Sequence, residues 1–240
     1  MTNYNVAFIG GGNMTRAIVG GLIQSRFPAG RLLISEPLEA QQELLANEFP
    51  DSVITNNNDD VVRDASSVVL AVKPQVLPAV CKRLASTTQD IKPLIISIAA
   101  GIHSRSIENW LGGNLAIVRA MPNTPALIQS GATGLHASKG VSKEQKNLAE
   151  SILRAVGMTC WVDDESLMDV VTAVSGSGPA YFFLIMEAME DAAHDMGLSE
   201  DTARLLVLQT ALGAARMAME SHDPPGILRT KVTSPGGTTE

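Results

Sequence analysis

At 240 residues, with 45% hydrophobic content and a net charge of −7, the chain has the length for two domains and enough apolar residues for a substantial core. The sequence pI near 5.1 and the lack of a basic stripe argue against a nucleic-acid partner, because little positive charge is present to displace counterions. No basic region followed by an apolar run marks a secretory signal, no apolar run approaches membrane-spanning length, and Cys81 and Cys160 lack metal-like spacing, so reduced thiols, no metal and a cytoplasmic setting are expected.

Residues Asn5 to Ile9 read as a short strand that runs into Gly10-Gly11-Gly12-Asn13-Met14-Thr15, and an apolar helical stretch follows with Ala17, Ile18, Gly21 and Leu22. Strand, glycine turn and helix form the setting a dinucleotide fingerprint requires. Gly10 makes the tight turn, and Gly12 lets the backbone approach a pyrophosphate at the helix N-terminus. Thr15 stands where such fingerprints usually carry Gly or Ala, which predicts a slightly wider gap between helix and strand. A second strand, Arg31 to Ser35, ends at Glu36, 26 residues after Gly10 and within range of the ribose hydroxyls. A carboxylate there favours NAD, because it would repel the 2′-phosphate of NADP; an exposed acid ahead of Pro37 is the plainer alternative.

Apolar runs then alternate with helical patterns. Ser67–Val72, Leu94–Ile98 and Leu115–Val118 read as buried parallel strands, with helices over 38–49, 75–87 and 104–111. Ala132–Ala137 and Thr159–Val162 add strands around a helix at 143–156. The alternation predicts an α/β, Rossmann-like doubly wound sheet over residues 1–162. Ligands of such sheets bind beyond the carboxyl ends of the strands. Three ends stand out: Ala71-Val72-Lys73-Pro74, with a cation; Ile98-Ala99-Ala100-Gly101, small enough for a flat ring to lie on backbone; and Arg119 to Pro125, where Asn123 could pair with a carboxamide.

From Asp163 the character changes to all-α, giving a second domain over 163–240. Asp163, Asp164 and Glu165 precede Leu167 and suit a helix N-terminal dipole. Ser175-Gly176-Ser177-Gly178-Pro179 interrupts an otherwise helical run, which points to a site or an interhelix turn. One helix is expected from Pro179 to Met196, closed by Gly197, and another from the N-cap Ser199. Leu205 to Met219 is apolar nearly all round and needs cover on every side, so a second subunit is expected to supply it. The closing segment Val232–Glu240 sets Pro235, Gly236 and Gly237 before Thr238 and Thr239. That combination makes either a turn or a cup of amides and hydroxyls fit for a small carboxylate.

Taken together these segments resemble the pyrroline-5-carboxylate reductase family. The resemblance covers essentially all 240 positions, through Gly-Gly-Gly-Asn-Met, Ala-Val-Lys-Pro, Ala-Ala-Gly, Met-Pro-Asn-Thr-Pro, Ser-Gly-Ser-Gly-Pro-Ala-Tyr and Ser-Pro-Gly-Gly-Thr-Thr. It implies reduction of a cyclic imine, 1-pyrroline-5-carboxylate, to L-proline by NADPH or NADH, the last step of proline biosynthesis. The implied cofactor residues are Ile9, Gly10, Gly11, Gly12, Asn13, Met14, Asn58, Ala71, Val72, Lys73, Pro74, Ile98, Ala99 and Ala100, to which Glu36 is added from its position. The implied substrate residues are Glu165, Thr172, Ser177, Gly237, Thr238 and Thr239, with Ser234 and Thr239 in the catalytic group. The family also implies a homodimer through interlocked C-terminal helices, larger homo-oligomers built from such dimers, and at least one more helix beyond Glu240. Glu36 departs from the small hydroxyl residue of NADP-using relatives and leaves the cofactor preference open.

Two other functions weigh less. A 3-hydroxyacid dehydrogenase needs an acid or base for an alcohol proton, commonly a lysine of the helical domain, and no Lys occurs between Lys146 and Lys231. His103, His136, His194 and His222 lie outside the motifs. A cofactor-sensing or assembly protein without turnover is disfavoured by the intact Ser-Pro-Gly-Gly-Thr-Thr segment.

Overall fold

Long apolar runs joined by helical connections dictate a sheet covered on both faces. The computed structural model describes residues 4–233 and 236–239. The chain divides after Pro179 into two compact units.

The first unit is built on β1 (Val6–Ile9), β2 (Leu32–Ser35), β3 (Val53–Thr55), β4 (Ser67–Leu70), β5 (Leu94–Ser97), β6 (Ile117–Met121), β7 (Gly131–Ala137) and β8 (Gly157–Trp161). Their order across the sheet is β3-β2-β1-β4-β5-β6-β7-β8. Neighbours among the first six pair in parallel; β7 pairs antiparallel with β6, and β8 parallel with β7. This is the dinucleotide-binding order, and the chain reverses direction across the sheet between β1 and β4.

Period-two alternation splits the strands between two cores. Phe8, Ile34, Val69, Ile96 and Val118 face α1 (Asn13–Gln24), α2 (Glu39–Glu48, through Leu45) and α6 (Lys143–Arg154). Ala7, Leu33, Val68, Ile95 and Ile117 face α3 (Asn58–Arg63), α4 (Leu77–Ile91) and α5 (Ser104–Trp110). A Ser142–Gln145 capping box starts α6.

Several elements differ from the sequence reading. β3 and α3 were not expected: at three and six residues they are too short to show a period, and they lie in an Asn- and Asp-rich stretch. Thr15 is fully buried and its hydroxyl donates to the Gly10 carbonyl at 2.6 Å, so the larger residue binds the turn it follows. The Ser-Gly-Ser-Gly-Pro segment breaks no helix. After α7 (Leu167–Val171) the run continues through a π-helical turn, Thr172–Gly176, in which the Ser177 N–H donates to the Thr172 carbonyl at 2.8 Å, and then enters α8 (Gly178–Asp195). Pro179 falls in the first turn of α8, where a missing N–H costs nothing.

The second unit holds most of α8, then α9 (Glu200–Glu220) and α10 (Pro225–Val232), the last unforeseen. The Ser199 side chain caps α9 as expected, accepting the Thr202 N–H at 3.3 Å. Only Ala203 and Val207 of α9 are buried. Phe182, Phe183, Leu184, Leu205 and Met219 are more than 60% exposed, far beyond what a lone helical unit sustains. The expectation about apolar runs needs correcting: the helical run Leu167–Asp195 is, by length and composition alone, long and apolar enough to cross a membrane. The continuous π turn produces that length by joining two segments that the glycines seemed to separate.

Candidate active site

The carboxyl ends of β2, β1, β4 and β5 stand side by side and bring the expected cofactor segments into one row. Strand spacing makes the distance from β3 to β5 roughly 19 Å, enough for an extended dinucleotide. At its centre Gly10 adopts φ +102°, and a Cβ there would lie 2.9 Å from the Ala71 carbonyl, so the turn needs glycine and lies directly against Ala71 and Val72. Ile9 ends β1 beneath this turn, and its carbonyl accepts the Ala71 N–H at 2.9 Å.

Gly12 is the N-cap of α1 and contributes no side-chain cap, and no acid occupies the first turn of that helix. Gly12 and Asn13 are exposed and Met14 half-buried, and a Cβ on Gly12 would meet no atom within 4 Å. First-turn N–H groups with no capping side chain and no local carboxylate suit a pyrophosphate. The residues therefore fit the dinucleotide.

At the adenosine end, Glu36 is 8% exposed. Its Oε2 accepts the Gly11 N–H at 2.8 Å and its Oε1 accepts the Leu38 N–H at 3.1 Å. Asn58 Oδ1 accepts the hydroxyl of buried Ser35 at 2.6 Å, which fixes that side chain at the start of α3. Toward the other end, Lys73 is exposed, with Val72 and Pro74 half-buried beside it. Ala99 is buried, Ile98 half-buried and Ala100 exposed after β5.

Beyond β5 lies a polar cluster that the sequence reading assembled only in part. Glu165 Oε1 accepts from Arg119 Nη1 at 2.9 Å and from the Ser104 N–H at 2.6 Å, while Oε2 accepts from the Ser104 hydroxyl at 2.8 Å. Glu165 thus ties β6 to the N-terminus of α5. His103 Nδ1 lies 3.8 Å from Oε1, a His–carboxylate pair absent from the motif reading. Burial pushes the Glu165 pKa up, but hydrogen bonds from the Ser104 backbone and side chain, and then Arg119, hold it below the usual carboxylate range. Arg119, 4% exposed, was missed as a site residue although a lone charge inside Ile-Val-Arg-Ala-Met was its signal.

Asn123 is spoken for. Its Oδ1 accepts the Ala132 N–H at 2.9 Å and its Nδ2 donates to the Ser175 carbonyl at 3.1 Å, so its amide braces the π turn. Thr172 and Ser177 sit at the two ends of that turn, and the Thr172 hydroxyl donates to the Met168 carbonyl at 2.8 Å.

In the second unit Gly236 takes φ +70°, and Gly236–Thr239 form turns and a bend with Gly237 half-buried and Thr238 and Thr239 exposed. Ser234 lies outside the described residues.

The chain matches two family models: "Pyrroline-5-carboxylate reductase dimerisation" over residues 165–240 and "NADP oxidoreductase coenzyme F420-dependent" over residues 5–101. It is 52% identical to a pyrroline-5-carboxylate reductase of Pseudomonas aeruginosa, with 100% of this chain and 87% of that protein covered. Its structure is similar to that of a pyrroline-5-carboxylate reductase from Coxiella burnetii, at TM-score 0.93 and 47% identity over 99% of this chain and 88% of the other. It is also similar to Plasmodium falciparum pyrroline carboxylate reductase with NADP bound, at TM-score 0.88 and 30% identity over 100% and 87%.

Proposed function

The chain belongs to the pyrroline-5-carboxylate reductase family, and from that premise we propose how its residues divide the reduction of 1-pyrroline-5-carboxylate to L-proline by NAD(P)H. The observation that carries the proposal is the α1 N-terminus, without a capping side chain, at the β1–β4 reversal, flanked by the Ala71–Pro74 and Ile98–Ala100 strand ends. Gly10–Met14 would hold the pyrophosphate, Glu36 and Asn58 the adenosine ribose, and Ala71–Pro74 with Ile98–Ala100 the nicotinamide end. When bound, the reduced nicotinamide supplies the hydride that the imine carbon takes up.

The protein's own work is orientation. A protonated cyclic imine accepts hydride without a strong acid, so alignment and carboxylate anchoring supply most of the rate. The amides of Gly237, Thr238 and Thr239 would bind the substrate carboxylate, and the Thr239 hydroxyl would hydrogen-bond at the ring nitrogen, with Ser234 in the same group. Thr172 and Ser177 would line the pocket. Glu165 would act through Ser104 and Arg119, holding the α5 start beside the nicotinamide segment.

We assign residues 1–162 to the cofactor and 163–240 to dimerisation and substrate. The last strand ends at Trp161, which supports this boundary; residues 163–179 stay in the first compact unit because Val171 packs on Gly134 of β7. The bare apolar faces of α8 and α9 suit a homodimer, with larger assemblies built from dimers, in the cytoplasm.

Consumption of NADH and NADPH with 1-pyrroline-5-carboxylate tests the assignment. Proline should form one-to-one with cofactor oxidised, and no consumption of either would sink it. Thr239→Ala should lower kcat at least tenfold; unchanged turnover would remove the hydroxyl from the chemistry.

A further inference from the structure

We propose that Asn123 is a positioning residue for the substrate: by holding the π turn against the ends of β6 and β7, it sets Thr172 and Ser177 on one side of the helix that lines the imine pocket. This rests on the reductase reading and deepens it at the substrate end of the site.

Three segments close a ring of hydrogen bonds. The Ala132 N–H of β7 donates to Asn123 Oδ1 at 2.9 Å, Asn123 Nδ2 donates to the Ser175 carbonyl at 3.1 Å, and the Ser175 hydroxyl donates back to the Ala132 carbonyl at 3.3 Å. Asn123 is itself held just after β6, where its own carbonyl accepts the Ala126 N–H at 3.1 Å. The ring has a chemical reason. In a regular helix the Ser175 carbonyl takes the N–H four residues on, but residue 179 is Pro, which has no N–H and whose ring crowds that carbonyl. Pro179 is tolerated because Asn123 gives Ser175 the donor that the helix cannot.

The turn decides which way its two ends face. Residues five apart on an α-helix point roughly 140° away from each other. Here the Ser177 N–H donates to the Thr172 carbonyl at 2.8 Å, so residue 177 stacks over residue 172. The turn also lies tight on β6, since a Cβ on Gly176 would come within 2.5 Å of Met121 Cε. Without the Asn123 amide, the extra residue of the turn can be wound back into α-helical register, which swings Ser177 away from Thr172. None of the three hydrogen bonds of the ring reaches the glycine turn or the β4 and β5 ends, so the cofactor segments stay as they are.

Steady-state kinetics of the full chain with 1-pyrroline-5-carboxylate, paired with fluorescence titration of NADH, test the proposal. Asn123→Asp keeps the acceptor for Ala132 but turns a second oxygen on the Ser175 carbonyl. Its KM for the imine should rise about fivefold or more, with kcat and the NADH Kd within about twofold of wild type. The double variant Asn123→Ala/Pro179→Ala returns a helical donor to Ser175, so it should melt close to wild type and still show the raised KM. It decides alone if Asn123→Asp fails to fold. An unchanged KM in a folded Asn123→Asp overturns the proposal. So does a wild-type KM in the double variant, because Asn123 would then serve only to satisfy a carbonyl. A weakened NADH Kd overturns it in favour of a nicotinamide contact, and loss of folding in both variants overturns it by assigning Asn123 to the fold alone. No turnover by the wild type sinks the reductase reading and this inference with it; normal wild-type turnover with any of the contrary results sinks the inference only.

Discussion

Arg119 is a guanidinium almost wholly inside the protein, and its recorded ion-pair partner is the Glu165 carboxylate. Arg119→Met would fill much of the same volume and leave the partly exposed Glu165 carboxylate with its two Ser104 hydrogen bonds but no cation, so a loss of about 1–2 kcal/mol is expected in urea unfolding. Because Glu165 titrates below its usual range when folded, it stabilises the fold above the unfolded-state value, and that contribution disappears as pH falls through the lower folded value. The stability gap between wild type and Glu165→Gln should be full above the usual carboxylate range and shrink as pH falls from there through the lowered folded value, as read from melting temperatures. Burial alone raises the Cys81 thiol to about 12, so thiol reagents should leave it unmodified in the folded protein and label exposed Cys160.

At the scale of elements, α6 offers a clean test because its start is exposed and its cap is complete. Ser142→Ala removes the acceptor for the Gln145 N–H and should cost about 1 kcal/mol in chemical denaturation. The sequence announced those elements that carry their own periodicity. Val6–Ile9, Ser67–Leu70 and Leu94–Ser97 are buried on both faces, so each reads as an unbroken apolar run. Val53–Thr55 has three residues at the sheet margin and no run to read. The π turn was hidden for another reason. Its glycines and serines carry breaker chemistry, yet Asn123 and the i+5 hydrogen bond hold the backbone helical through tertiary contacts that no local pattern encodes. The site divides along the same line. Gly10–Met14 announces itself by motif, while Arg119, Ser104 and the Gly11–Glu36 bond depend on which segments meet in space.

The whole molecule has more apolar surface on α8 and α9 than a monomer should show. Sedimentation velocity should give a dimer or a multiple of one at micromolar concentration. Phe182→Asp or Leu205→Asp should shift it to monomers and cut reductase turnover at least tenfold; a monomeric wild type would refute the assignment of that face. The sheet order also has a consequence in time. Val6–Ile9 is made first, yet it lies between β2 and β4, and its β4 partner begins 61 residues later (67 − 6) at Ser67. At roughly 5–20 residues per second, translation leaves one edge of that strand unpaired for about 3–12 s. During that interval four apolar residues offer open backbone to any other nascent strand. The first strand made, an interior one in the finished sheet, is therefore the one that most needs shielding while the chain is being born.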